Sequence, residues 1–109
     1  MATRFRSFAE FWPFYLREHG DPRTRALHYL GTSLAILLLI GFALSGDWRF
    51  LLGSPIAGYA FAWFAHAFVE RNKPATFTYP LWSLIGDFYM LFCWGTGRLG
   101  AELERAKPA

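Results

Sequence analysis

The chain has three histidines, His19, His28 and His66. Neutral imidazole is a good ligand for iron or zinc. Glu70 follows His66 by four residues, so on a helix the two share a face and the carboxylate could bind a metal or orient the ring. Asp87 lies inside an apolar run with Ser83 one turn earlier. At membrane depth such a group needs a cation, a hydrogen-bond donor or water. Arg25 sits about 60° from His28 around the same helix, and its planar fork suits a substrate carboxylate. Tyr59 and Trp63 fall on the stripe of His66 and Glu70, where they could line a substrate tail, whereas Phe61, Phe64 and Phe68 occupy the opposite face. Each residue has an ordinary explanation when taken alone: an interfacial histidine, a helix-end glutamate, an ion-paired aspartate, a topology-setting arginine, packed aromatics. Three histidines at one membrane face are harder to explain that way, and they point to a metal site.

Composition says what must position them. Of 109 residues, 54% are hydrophobic, 20% are aromatic and 17% are charged, the last against about 25% in soluble proteins. A soluble domain this small buries too little of its surface to hide so many apolar side chains. The expected fold is therefore all-α, an integral membrane helical bundle forming one domain over residues 1–109. A net charge of +3, carried in short clusters, suits topology signals and phospholipid headgroups and excludes a nucleic-acid footprint. Cys93 is the single cysteine, which rules out a disulfide framework and a thiolate cluster and reads as a small buried hydrophobe. No cleavable signal peptide and no internal repeat is visible.

The elements follow in order. Phe5, Phe8, Trp12, Tyr15 and Leu16 share one face, which predicts an amphipathic interfacial helix over 5–19, bent or interrupted at Pro13. Asp21-Pro22 is a capped helix start, opening a membrane helix over 22–45. Beside His28, Thr32, Ala35 and Leu39 on that helix, Gly31 would let a neighbour approach closely. Further membrane helices are expected over 50–69 and 80–97, separated by a polar loop over 70–79. Residues 98–109 form a polar tail or a short helical continuation. Arg17, Arg23, Arg25, Arg71 and Lys73 put the N-terminus and the 70–79 loop in the cytoplasm, and all three histidines then lie at that face. Three full spans would send Arg98, Arg105 and Lys107 outside, against the same rule, so the third segment is either re-entrant or an exception.

Two stretches carry a family resemblance. The segment from Phe14 to Thr32, with His19-Gly-Asp-Pro22 and Arg25-Ala-Leu-His28, resembles the N-terminal motif of the membrane-bound 2-hydroxy fatty acid dioxygenases, a family that includes a yeast endoplasmic-reticulum enzyme. Gly58 to Phe77, with Trp63, His66, Glu70, Asn72, Pro74, Ala75 and Thr76, resembles its second motif. Tyr79-Pro80-Leu-Trp82-Ser83-Leu-Ile-Gly86-Asp87-Phe88 resembles the continuation found in the bacterial branch. Ala65 stands where the family pattern has glycine. The resemblance implies an iron(II)-dependent oxygenase of fatty acid α-oxidation, which shortens a 2-hydroxy fatty acid by one carbon with O2. His19, His28 and His66 map onto the family's histidines. It also implies a multi-pass protein of the bacterial inner membrane, or of the endoplasmic reticulum in a eukaryote, with its site on the cytoplasmic side. The expected partners are the lipid bilayer, the substrate and O2, with no nucleic acid, and a homo-oligomer is compatible. Two other readings stay open: a non-catalytic small membrane protein that assembles with a partner through its small-residue faces, and a carrier that holds haem between two histidines.

Overall fold

The computed structural model describes residues 5–74 and 77–107. Residues 1–4 and 108–109 lie outside them, as do Ala75 and Thr76 of the second motif and the 70–79 loop. Among the described residues the fold is all-helical: α1 (Phe8–Glu18), α2 (Pro22–Ser45), α3 (Trp48–Ala65), a π-helical turn (His66–Glu70), α4 (Pro80–Gly95) and α5 (Leu99–Ala106). They fall into two compact units. One is residues 21–74, and the other combines the described residues before 21 with those after 74.

In the unit of residues 21–74, the Asp21 carboxylate accepts the Arg23 N–H and Pro22 opens α2, as the Asp-Pro pair predicts. The helix ends at Gly46, whose φ of 71° lies in the left-handed region that favours glycine. Asp47 caps α3 immediately afterwards. A connection this short makes α2 and α3 antiparallel, and their cross-pairings run in opposite directions: Gly41 with Phe50, Ala35 with Ser54, Gly31 with Phe61. A Cβ on Gly31 would lie 2.9 Å from Phe61 Cβ and 3.1 Å from the Gly58 carbonyl oxygen. The backbones therefore approach as closely as small residues permit. Ser54 Oγ fastens the pair by donating to Ala35 O at 2.9 Å.

That packing corrects several expectations. α3 buries Ser54, Ala62 and Ala65, and Ser54 is bonded to α2. Phe61, assigned to the opposite face, lies against Gly31. Leu39, assigned to the packing stripe, is exposed. The second span begins at Trp48 rather than 50, continues through Pro55, and changes to π-helical geometry at His66.

In the other unit, α1 runs through Pro13 without a break. Its apolar residues Phe11, Trp12, Tyr15 and Leu16 are buried, with Phe11 against Tyr79 and Trp82 and Trp12 against Tyr89. Trp12 Nε1–H donates to Glu102 Oε1 at 2.9 Å, and Arg17 donates to Ala106 O at 3.1 Å. The face expected to lie in a membrane interface is thus a protein packing face. A period of 3.6 residues marks an apolar stripe without saying what covers it. The segment expected as a polar tail or a short helical continuation contains α5, a separate helix that buries Leu99 and Ala106.

Among the described residues one helix, α2, is long and apolar enough to cross a membrane. The mean hydropathy of its 18-residue window is 2.0, and only 17% of that window is buried. α4 has 16 residues, which rise roughly 24 Å against a hydrocarbon core of about 30 Å.

Candidate metal centre

The antiparallel register that sets Gly31 against Phe61 continues by one turn to bring His28 to His66. Their ring centroids are 5.1 Å apart and the planes are nearly perpendicular. His19 closes α1, where its backbone N–H donates to Leu16 O at 3.1 Å. The three histidines are only 1%, 3% and 2% exposed in chain order. Each offers one ligand nitrogen, and these nitrogens all lie within 4.8 Å of one another. Edge-on rings at 5.1 Å leave no slot for a porphyrin between His28 and His66.

Each imidazole is held from behind. His19 Nδ1 bonds to Tyr15 O at 2.6 Å, His28 Nδ1 to Thr24 O at 2.9 Å, and His66 Nδ1 to Asn72 Oδ1 at 2.6 Å. The main-chain carbonyls of Tyr15 and Thr24 can only accept, so Nδ1 of His19 and His28 donates and Nε2 is the nitrogen left for a ligand role; at His66 it is the Asn72 side-chain amide that meets Nδ1. Metal-ligating histidines use this arrangement, in which the outer nitrogen is held and the inner one can coordinate. Three buried imidazoles, each held at Nδ1, could therefore hold a metal ion.

A second layer supports His19. The Tyr15 ring stacks on it with centroids 4.0 Å apart, and the Tyr15 hydroxyl donates to Asp87 Oδ1. Gly86 makes room for this arrangement, because a Cβ there would lie 2.9 Å from the Tyr15 ring. The donor that Asp87 required is thus a tyrosine, whose ring stacks on His19. One turn before His28, Thr24 Oγ1 is buried without a hydrogen-bond partner. An orphaned hydroxyl of this kind costs about 1–3 kcal/mol and suits a site that takes a polar ligand.

The other sequence-predicted residues are distributed differently. Glu70 does not reach the His66 ring. The π-helical turn displaces it from the position one α-turn below His66, and its Oε2 accepts the Asp21 N–H at 2.7 Å. Asn72 takes the role expected of Glu70. Arg25 is half-buried on α2, nearly one turn before His28. Tyr59 and Trp63 stack on each other at 5.3 Å, but Trp63 is 40% exposed while His66 is buried, so the stripe does not stay together. Sequence reasoning missed Tyr15, Thr24 and Asn72. The first two stand four residues before a histidine, a spacing that puts their carbonyls under the following ring. Asn72 lies in the second motif.

The model of the 2-hydroxy-palmitic acid dioxygenase Mpo1-like family matches residues 5–99, and the chain belongs to that family. No curated protein and no solved structure matches it.

Proposed function

We propose that this member of the 2-hydroxy-palmitic acid dioxygenase Mpo1-like family is an integral membrane, iron(II)-dependent oxygenase that shortens 2-hydroxy fatty acids by one carbon. The observation that carries the reading is the buried cluster of three imidazoles, each with Nδ1 held by a hydrogen bond. His19, His28 and His66 would hold the ion, which when bound supplies the activation of O2. Three protein ligands leave coordination positions for small molecules.

The remaining steps belong to the chain's own residues. Tyr15, braced by Asp87, keeps the His19 ring flat and fixed, and Asn72 does the same for His66 by a hydrogen bond. Glu70 ties the end of the π-helical turn to the start of α2, which keeps the His28 and His66 segments in register. Arg25, beside His28 on α2, is suited to the substrate carboxylate, and the Thr24 hydroxyl to its 2-hydroxyl. Tyr59 and Trp63 would meet the acyl tail at the lipid-facing side of α3.

A membrane setting is supported by the outward apolar surface of the helical pair. Most of the apolar window of α2 is unburied, and Phe64 and Phe68 project from α3 and the π-helical turn, Phe68 being 68% exposed. Water would make that surface costly, whereas lipid covers it. With the charge bias of the flanking segments, the cluster sits at the cytoplasmic face. In a bacterium the membrane would be the inner one. The test is anaerobically purified protein given iron(II), a 2-hydroxy fatty acid and O2. The expected product is one carbon shorter, and His28→Ala and His66→Ala lose it. A parent protein that loads iron but leaves several 2-hydroxy acids intact would overturn the activity, and product formation undiminished in both variants would overturn the site.

A further inference from the structure

His19 and His28 are held by main-chain carbonyls that a regular helix supplies four residues earlier. His66 is held differently, by a side chain six residues later. A straight α-helix would carry residue 72 away from residue 66, so the chain has to be turned back. Residues 66–70 are wound as a π-helical turn, and Arg71 then adopts φ 60° and ψ 43°. Arg71 is the one non-glycine residue with positive φ among those described, and that backbone is costly for a residue with a side chain. The reversal gives Asn72 two bonds to the same residue. Its N–H donates to His66 O at 3.0 Å and its Oδ1 meets His66 Nδ1 at 2.6 Å. Single π turns inside helices concentrate at functional sites, and this one, with the strained residue after it, delivers one amide oxygen to one ring nitrogen.

We propose that Asn72 is a positioning residue of the histidine centre, accepting the His66 Nδ1 proton so that Nε2 stays basic and aimed at the metal. The inference rests on the reading of the three histidines as metal ligands. It goes beyond the contact itself in assigning the Asn72 amide oxygen as the acceptor that fixes the His66 tautomer. A donating amide would force the proton onto Nε2 and remove His66 as a ligand, so the orientation of the amide decides between opposite outcomes. Asn72→Asp replaces the amide by a carboxylate that can only accept when ionised, and a carboxylate behind a ligating histidine raises its basicity.

The experiment is cobalt(II) binding to the full chain in detergent, followed by the visible d–d absorption of the bound ion, for the parent, Asn72→Ala, Asn72→Asp and His66→Ala. Helical content from circular dichroism is recorded for each. The expected result is that Asn72→Ala binds about 10–100-fold more weakly with a changed spectrum, while Asn72→Asp matches or exceeds the parent. Equal affinity and spectrum in parent and Asn72→Ala would overturn the proposal and leave the centre intact. Asn72→Asp binding at least tenfold more weakly than the parent would also overturn it, and that comparison suffices if Asn72→Ala does not fold. A parent that binds no better than His66→Ala would overturn the centre itself and the proposal with it.

Discussion

Around the histidines, individual side chains divide between those that touch a ring and those that hold a ring through another residue. Thr24 does both jobs unequally: its carbonyl fixes His28 while its hydroxyl is buried without a hydrogen-bond partner. Thr24→Val keeps the shape and removes the orphan, so ligand-free protein should gain about 1 kcal/mol in a denaturant or thermal melt. A loss of similar size would mean that the hydroxyl is satisfied in solution. Tyr15→Phe keeps the ring that stacks on His19 and deletes the donor to Asp87. A loss of about 1–3 kcal/mol is expected, with Asp87→Asn recovering part of it in the double variant. Additive losses from the two changes would show that the groups act independently. These residues were the least legible in the sequence. The three histidines announce themselves by type, but the spacing offered Glu70 as the partner of His66, and only the π-helical turn and the left-handed Arg71 bring Asn72 there instead.

At the scale of elements, the pairing of α2 with α3 is what carries His28 to His66. Gly31→Ala would push a methyl to 2.9 Å from Phe61 Cβ and 3.1 Å from a backbone oxygen. The backbone cannot yield as a flexible side chain would. The expected cost is about 1–3 kcal/mol with weakened metal binding, read by a melt and a metal titration on the same sample. Unchanged values in both would mean that the helices are not held at this distance. The start of α2 carries an acid-sensitive contact. Hydrogen bonding from Arg23 lowers the Asp21 pKa to about 2 from 3.8. A depressed carboxylate adds stability that is complete above 3.8 and drains away as pH falls toward about 2. Asp21→Asn should flatten the acid limb of the stability curve over that interval, and an unaltered limb would remove Asp21 as a contributor. Helix starts were readable because Asp-Pro and Asp47 cap locally. The buried faces of α1 and α3 were not, because a stripe of apolar residues looks alike whether lipid or protein covers it. In α3 the side that meets α2 mixes small and aromatic residues, with Ser54 bonded to Ala35 and Phe50 and Phe61 against Gly41 and Gly31.

For the whole molecule, composition indicated helices and membrane character, and the family match agrees with the resemblance carried by the His19–His28 and His66–Asn72 stretches. Composition did not indicate that Leu99–Ala106, expected as polar tail or short helical continuation, would form a separate helix α5 joined to α1 through Glu102 and Ala106. The account depends on residues 19, 28 and 66, far apart in the chain, supplying one ion with its ligands. The most direct measurement is iron per chain in anaerobically purified protein, determined by elemental analysis beside the single alanine variants of His19, His28 and His66. One iron per parent chain, without a Soret band, and loss of most of it in every variant is the predicted result. Iron retained at parental stoichiometry by the variants, or none bound by a folded parent supplied with iron(II), would contradict the account.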